Sequence, residues 1–484
     1  MSTAMDKPTP ESSRVPQAAA GSELVLSRTF DVPRSAVFAA WTDPAALPRW
    51  FGPHGSAMPV CRLDPRPGGE LHYEHTFEEH EDVWVKGVYE EVAAPERLVF
   101  TCHFSNPSGA RRERPGFPAE MRIDVRFEAL DAARTKVTVR QSGLERDQGE
   151  VHGWIEAFER LAGELAHMGG GVFQATMFVY PPAQPIILQR RVFAAPRALV
   201  WASCTEAQHM AAWWGPRGYV NEACEVDARP GGSWRVAQRA PDGALYTFMG
   251  EFREVTAPER FVCTFAMEGM FEERPVVETH TFAEREGSTH YAVESRFASM
   301  EDRAAMMATD MEVGARQAMD RLEEILDALA PTDSERELVL SRLIRAPREL
   351  VFQAWTRPEH VDRWMGPHGF TTVTRSMDVR VGGAWLYTMT SPDGTVYPNR
   401  VTYRAIQPPA RLEYLHDAGQ DNDPHGFEVE VTFAEEAGGT RVRMRMRLAS
   451  KEARDATIAF GAVELGYQTL ARLAGHVEVD RAAV

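Results

Sequence analysis

The chain is poor in cysteine and has no long apolar run. Its 484 residues include five cysteines, and none forms a Cys-x-x-Cys pair, which favours free thiols in a reducing compartment over a disulfide framework. No apolar run is as long as a membrane-spanning helix, which needs about 18 residues. Residues 1–21 lack the apolar core of a signal peptide and are rich in Ser, Thr, Pro and Ala. We therefore expect a cytoplasmic protein without membrane association, whose tail 1–21 is disordered.

Positive charge is also in deficit. Lys and Arg number 53 against 70 Asp and Glu, which gives a net charge of -17. Since phosphate groups are bound mainly by Lys and Arg, we expect no nucleic-acid partner. The Gly-Gly pairs at 68–69, 231–232 and 382–383 precede predicted strands rather than helices, so they are not phosphate-binding loops. No Ser/His/Asp set or dinucleotide fingerprint stands in a supporting position, and no cofactor is predicted.

A metal site is not predicted either. His75 and His80 are close in sequence with Glu78 and Glu79 between them, but strand alternation places the two histidines on opposite faces. Helical His-Glu-x-x-His spacing is absent.

One sequence pattern occurs three times. It starts at Arg28, Arg191 and Arg342, has proline sixth and arginine seventh, and reaches a Trp-x-Gly-Pro-x-Gly block at Trp50, Trp213 and Trp364. A second block, Asp-x-Arg-x-Gly-Gly, follows in each copy. The period of about 150–160 residues fits a whole domain rather than a solenoid unit. The three tryptophans beside Gly-Pro are expected to anchor the core or a loop rather than to stack on a ligand.

Each copy predicts the same order of elements. A strand is broken by Pro33, Pro196 or Pro347, where a helix starts. A second short helix, about six strands with period-2 alternation and a long helix follow. The predicted divisions are a disordered tail 1–21, domain 1 at 22–168, a linker at 169–183, domain 2 at 184–330, a linker at 331–335 and domain 3 at 336–480. Short linkers favour domains that pack together.

This arrangement resembles the helix-grip fold of the START/Bet v 1-like superfamily, also called SRPBCC. The Arg-x-Phe-x-Ala-Pro-Arg, Trp-Trp-Gly-Pro-x-Gly and Pro-Gly-Gly blocks are similar to the bacterial branch related to the C-terminal domain of the Hsp90-ATPase activator. The resemblance implies an α+β fold of three tandem helix-grip domains. In each domain a curved antiparallel sheet wraps around a long C-terminal helix, with two short helices after the first strand.

Strand phase predicts which side chains point into the space between sheet and helix. Such a space must be filled by large side chains or by a ligand. The candidate ligand-binding residues are Tyr73, His75, Phe100, Trp234, Gln238, Phe265, Glu278, His280, Tyr291, Trp385, Tyr387, Tyr414 and His416.

Copy two differs from the others on one strand. Glu278 and His280 occupy positions that are aliphatic in copies one and three. Two interpretations stay open. In the first, both side chains face the interior and act as ligand anchors or as a general acid/base pair, helped by Tyr291 and Gln238. In the second, a bulge shifts the strand phase and both face water.

Three functions follow from these observations. The first is non-enzymatic binding of small apolar molecules, because the inward sets are apolar and their polar members differ between copies. The second is a polyketide cyclase-like or aromatase-like enzyme, implied by the resemblance, in which Glu278 and His280 of domain 2 would be the catalytic candidates. The third, implied by the branch alone, is a co-chaperone or stress-related protein with an Hsp90-type chaperone as its partner.

Overall fold

The computed structural model describes residues 23–78, 81–115, 117–132, 134–143, 149–167, 176–285, 287–329, 335–421, 423–436 and 439–482. The tail 1–21, His80, and residues 169–175 and 331–334 of the expected linkers lie outside the described residues. The predicted α+β fold class is confirmed in all three domains.

Domain 1 has the predicted order of elements. Its elements are β1 (Glu23–Phe30), α1 (Arg34–Thr42), α2 (Leu47–Trp50), β2 (Ala57–Leu63), β3 (Glu70–Thr76), β4 (Val83–Ala93), β5 (Arg97–Ser105), β6 (Met121–Ala129), β7 (Thr135–Ser142) and α3 (Glu150–His167).

Domain 2 repeats this order and adds a short helix before the closing one. The strand β8 (Met177–Tyr180) precedes it, so the expected linker 169–183 contains a strand. The other elements are β9 (Ile186–Phe193), α4 (Arg197–Thr205), α5 (Ala207–Trp213), β10 (Val220–Val226), β11 (Ser233–Arg239), β12 (Leu245–Thr256), β13 (Arg260–Met267), β14 (Val276–Arg285), β15 (Ser288–Arg296), α6 (Met300–Met307) and α7 (Met311–Leu329).

Domain 3 also has the additional short helix. Its elements are β16 (Glu337–Ile344), α8 (Arg348–Thr356), α9 (Pro358–Trp364), β17 (Thr371–Met377), β18 (Ala384–Thr390), β19 (Val396–Gln407), β20 (Arg411–Asp417), β21 (Phe427–Glu436), β22 (Gly439–Arg447), α10 (Lys451–Ala459) and α11 (Ala462–Ala482).

The repeated tryptophans anchor the core, as expected. Trp50 and Trp364 are fully buried and Trp213 is nearly so. Each indole N–H donates to a carbonyl of the preceding helix, at Ala40, Ser203 and Ala354 respectively. This hydrogen bond satisfies the one polar atom of a large apolar side chain, so the residue can be buried without a desolvation penalty.

The strands form two antiparallel sheets. Domain 3 has a seven-stranded sheet, whereas domains 1 and 2 share a 15-stranded sheet. Strand β8 joins them because it pairs with β1 on one side and with β9 on the other. Thus the two domains are connected by backbone hydrogen bonds as well as by side chains.

Domain 3 contacts both other domains. The Tyr467 hydroxyl of α11 donates to the carbonyl of Glu324 in α7 at 2.5 Å. Arg345 of domain 3 donates to the carboxylate of Asp31 in domain 1 at 2.9 Å. The expected packing of neighbouring domains is therefore present in the described residues.

Candidate ligand-binding site in domain 2

A cavity of about 560 Å³ lies in domain 2 between the curved sheet and helix α7. An adjoining cavity of about 100 Å³ shares several of its residues. Most of the lining is apolar and aromatic, including Trp213, Trp214, Phe248, Phe265, Met267 and Met319. Volumes of about 300–1,000 Å³ with mostly apolar walls are typical of small-molecule sites.

Small side chains at two positions keep this space open. Cys204 stands eight residues after Pro196, where domain 1 has Trp41 eight residues after Pro33. Ala315 stands six residues before Arg321, where domain 1 has Trp154 six residues before Arg160. In domain 1 the two indoles stack at a centroid distance of 6.1 Å and fill the corresponding region.

Domain 3 fills the same region in a different way. Trp355 takes the first of these positions and contacts Trp364 and Phe433. Gly466 takes the second, and a Cβ atom there would lie 2.3 Å from the Cδ1 atom of Leu340. Leu340 therefore occupies the space that Trp154 takes in domain 1, whereas the residue at the position of Leu340 in domain 2 is the cavity-lining Gln189.

The polar side chains of the cavity come from neighbouring strands. Cys263 of β13 and Glu278 of β14 are direct partners across the ladder, and His280 is two residues further along β14. Because side chains at i and i+2 share one face of a strand, all three point the same way. All three line the smaller cavity, and Glu278 and His280 line the larger one as well. Thus the phase-slip interpretation, with both residues in water, is wrong.

Hydrogen bonds with Tyr291 and Ser295 hold His280 and Glu278 in place. The Nε2 atom of His280 is 3.4 Å from the Oε2 atom of Glu278. The other imidazole nitrogen, Nδ1, lies 2.7 Å from the Tyr291 hydroxyl. The hydroxyl of Ser295 donates to Oε1 of Glu278 at 2.7 Å. The ring of His280 also stacks on Phe261 at a centroid distance of 4.2 Å. The stacking and the hydrogen bond with Tyr291 together fix the orientation of the imidazole.

Burial affects the acidity of the neighbouring groups. Burial, with Cys204 and the carboxylate of Glu278 nearby, raises the pKa of the Tyr291 phenol well above its ordinary value. Burial and the charge of Glu278 likewise raise the pKa of the Cys263 thiol well above its ordinary value. Both groups are therefore protonated near neutral pH when no cation is bound, because the anionic form is disfavoured in a poorly solvated space.

The remaining domain 2 candidates are all close to the cavity. Phe265 lines both cavities, and Trp234 lines the smaller one. Gln238 lines the larger cavity, but its amide donates to the Trp214 carbonyl and to Asn221 Oδ1. A Cβ atom at Gly215 would lie 1.9 Å from Gln238 Nε2, so glycine is required there for the loop to approach the amide.

The candidates in domain 1 are buried in an aromatic cluster. Tyr73 contacts Phe51 and His75 at centroid distances of 5.7 and 5.3 Å, and Phe100 contacts Tyr89 at 5.8 Å. Burial, together with the charge of Arg160, lowers the pKa of His75 to about 4. The predicted inward phase is thus confirmed, while a role in binding a ligand stays a prediction.

The candidates in domain 3 also contact one another. Trp385 and Tyr387 stack at 3.9 Å, and the Tyr387 hydroxyl lies 3.0 Å from His416 Nε2. Tyr414 is buried beside Tyr403. Burial lowers the pKa of His416 to about 4, against the opposing effect of Asp417 and Asp423. These contacts describe a packed core, and a ligand role for these four residues stays a prediction.

A family model matches the chain three times. The family is described as Activator of Hsp90 ATPase homolog 1-like protein, and the matched residues are 31–168, 194–327 and 345–478. The chain belongs to this family. The family match supports the predicted resemblance and its three tandem copies. A search of curated proteins found no match.

Solved structures of bacterial proteins are similar to parts of the chain. A Rhodobacter sphaeroides protein is 26% identical, covers 30% of this chain and 94% of its own, and has a TM-score of 0.29. A Silicibacter pomeroyi AHSA1 protein is 25% identical, with coverages of 30% and 99% and a TM-score of 0.27. An AHSA1-like protein from Aeromonas hydrophila is 26% identical, with coverages of 30% and 93% and a TM-score of 0.24.

Sequence reasoning missed four features of this site. These are Cys204 and Ala315, which leave the space open, and Gln189 and Ser295, which add polar groups. A signal for the first two was present. Comparison of the three copies at the first helix and at the closing helix shows tryptophan replaced by a small residue.

Proposed function

We propose that domain 2 binds a small, largely apolar molecule that carries one hydrogen-bonding group, and that domains 1 and 3 serve as structural partners. The observation that carries this proposal is the cavity of about 560 Å³ with aromatic and aliphatic walls and a polar cluster on one side. Transfer of an apolar ligand from water into such a space is favourable by roughly 25 cal/mol per Å² of apolar surface.

The polar cluster indicates what the ligand carries. Glu278 presents a carboxylate that accepts from Ser295 through one oxygen, and its second oxygen can accept from a ligand. A hydroxyl or amine on an apolar body would donate a hydrogen bond to this oxygen, whereas a purely apolar molecule would leave it with only the 3.4 Å contact to His280.

An enzymatic role is the second candidate. Glu278, His280 and Tyr291 are three neighbouring groups that can carry protons, with His280 3.4 Å from Glu278 and 2.7 Å from Tyr291. Such a group is suited to general acid/base catalysis on a bound substrate, including cyclisation or dehydration. Chemical conversion of a bound compound that is abolished by Glu278→Gln, without loss of binding, would favour this role.

The other expectations have less support. The five cysteines are free, which agrees with a reducing compartment such as the cytoplasm. Among the described helices, none has the length and apolar character to cross a bilayer. The described residues single out no surface for an Hsp90-type chaperone, so that role is not part of the proposal.

The test is a fluorescence titration of the full chain, purified without detergent and checked by native mass spectrometry for a retained ligand. The probe is 2-naphthol, an apolar body with one hydroxyl, and naphthalene is its matched compound without the hydroxyl. We expect 2-naphthol to bind about tenfold more tightly, since one hydrogen bond to a charged acceptor supplies this difference. Glu278→Gln should reduce the preference.

Two variants of helix α7 locate the binding. Ala315→Trp restores the side chain that fills domain 1 and should abolish binding, while Val313→Trp adds the same bulk at an exposed position of the same helix and should not. Equal binding by both variants, or no binding of either probe by the unmodified chain, would overturn the proposal.

A further inference from the structure

Three side chains that can act as metal ligands lie together beside the cavity. Cys263, Glu278 and His280 each offer one ligand atom, and these atoms all lie within 4.8 Å of one another. The strand ladder produces this arrangement, since Cys263 faces Glu278 across β13 and β14 and His280 shares the face of Glu278.

We propose that Cys263, Glu278 and His280 form a zinc site in domain 2. A thiolate, an imidazole and a carboxylate are the ligands that Zn²⁺ takes in proteins, and the mixture of sulfur and nitrogen disfavours Mg²⁺ and Ca²⁺. Tetrahedral bonds of about 2.0–2.3 Å place ligand atoms about 3.3–3.6 Å apart. The three atoms therefore need side-chain movements on the order of 1 Å to close around the ion.

The atom of His280 that would bind the ion has no other partner. Its Nε2 is buried and makes no hydrogen bond in the described part of the chain, and the Glu278 carboxylate oxygen at 3.4 Å belongs to the same cluster. When Nδ1 carries the proton and donates to the Tyr291 oxygen, the lone pair of Nε2 faces the other two ligands.

Neighbouring groups orient the ligands as outer partners do in metalloproteins. Tyr291 holds the distal imidazole nitrogen and Ser295 holds the distal carboxylate oxygen, both at 2.7 Å. Such partners fix ring orientation and tautomer, and their loss typically weakens metal binding about 10–100-fold.

The other two domains have no such cluster at the corresponding positions. Domain 1 has Phe100, Ile123 and Val125 there, and domain 3 has Tyr414, Val429 and Val431. One zinc ion per chain is therefore the expected stoichiometry for this cluster.

The site would leave one coordination position open. Three protein ligands of a tetrahedral ion leave the fourth position for water or for a hydroxyl, thiol or carboxylate of a bound molecule. Since Glu278 and His280 also line the larger cavity, that position would be reached from it. On binding, the Cys263 thiol becomes a thiolate and releases its proton to solvent.

Cobalt is the probe for the first experiment. The metal-free full chain is titrated with Co²⁺, which reports a thiolate ligand by a sulfur-to-cobalt charge-transfer band and tetrahedral geometry by intense visible bands. We expect both bands to saturate at one ion per chain. Zn²⁺ should then displace Co²⁺, because zinc binds such sites more tightly.

Variants assign the bands to the cluster. Cys263→Ala should abolish the charge-transfer band. Loss of a residue that only orients a ligand typically weakens metal binding about 10–100-fold, and His280→Gln should weaken Co²⁺ binding by more than this. Tyr291→Phe preserves shape and should weaken binding about 10–100-fold. Cys102→Ala removes a buried thiol of domain 1 and should change nothing.

Either of two results would overturn the zinc proposal. Absence of the charge-transfer band in the unmodified chain, or its persistence in Cys263→Ala, would exclude the cluster as a metal site. Circular dichroism checks that each variant is folded. If a variant of a metal ligand does not fold, the metal affinity of Tyr291→Phe supplies the second measurement. The titration uses metal alone, so it can fail while 2-naphthol still binds, and the reverse also holds.

Discussion

At the scale of single residues, burial determines what a histidine can do. His75 is nearly buried between Phe51 and Tyr73, and its Nδ1 has no hydrogen-bond partner in the described residues. Burial and Arg160 lower its pKa to about 4. Its inward direction was predicted from the sequence, and the structure packs the imidazole against aromatic rings, where burial favours its neutral form.

His75→Gln should make domain 1 less sensitive to acid. In the unmodified chain the unfolded state gains a proton near the ordinary histidine pKa while the folded state does not, so stability is full above about pH 6.5 and falls by about 3 kcal/mol towards pH 4. Glutamine occupies the corresponding position in domain 2 and cannot titrate. Urea unfolding at about pH 7.5 and about pH 5 measures the difference. His425→Gln, at an exposed position, is the control, and an unchanged pH dependence in His75→Gln would contradict the assignment.

At the scale of elements, an arginine of each closing helix holds the Trp-x-Gly-Pro turn. Arg160, Arg321 and Arg472 donate to carbonyls of this turn in domains 1, 2 and 3. The repeated glycine and proline predicted the turn, but nothing in strand or helix periodicity predicted its partner. The local backbone N–H groups of Ser56, Tyr219 and Phe370 reach the proline carbonyl of each turn, whereas a planar guanidinium satisfies several of the turn carbonyls at once.

Arg472→Lys should destabilise domain 3. Arg472 donates to the carbonyls of Gly366 at 2.8 Å, Pro367 at 2.9 Å and Arg363 at 3.1 Å. The compact ammonium group of lysine cannot donate to all three carbonyls as the planar guanidinium does. We therefore expect a loss of about 1–3 kcal/mol in the free energy of unfolding. Denaturant unfolding measures it. Arg380→Lys, at an exposed arginine, should stay within about 0.5 kcal/mol, and equal effects of the two changes would refute the explanation.

At the scale of the whole molecule, a carboxylate of helix α7 adds side-chain contacts to the strand pairing that connects domains 1 and 2. Glu312 of α7 accepts hydrogen bonds from Ser27 and Tyr180 and forms an ion pair with Lys136. Burial would raise its pKa, but Lys136 and the hydrogen bonds outweigh burial and lower it. The corresponding residues of the other closing helices are Val151 and Val463, so this position has a separate role in domain 2.

Glu312→Gln should loosen the strand that joins the two domains. The amide loses the ion pair with a half-buried lysine, at a cost of about 1–3 kcal/mol. Hydrogen exchange of peptides covering Met177–Tyr180 should therefore become about five to 150 times faster. Asp455→Asn, which breaks the exposed Lys451–Asp455 pair, is the matched control. Unchanged exchange in Glu312→Gln would show that the backbone pairing of β8 suffices.

The amino-acid sequence by itself determined the threefold repeat, the order of the elements that the three domains share and the alternation of side chains along the strands, but it left open which way Glu278 and His280 point. These features depend on local patterns, such as period-2 alternation, proline at helix starts and glycine at tight turns, which are the same wherever they occur. The sequence also indicated Glu278 and His280, because comparison of the three copies shows a polar pair in copy two where copies one and three are aliphatic.

Tertiary structure decided where the cavity opens and what gathers beside it. The space in domain 2 depends on Cys204 and Ala315, which are far apart in the chain and line two adjoining cavities only when the helices close on the sheet. Cys263 joins Glu278 and His280 through the register of two strands, and a register is a relation between segments that neither segment contains alone. The predicted absence of a metal site considered only His75 and His80, which are neighbours in sequence.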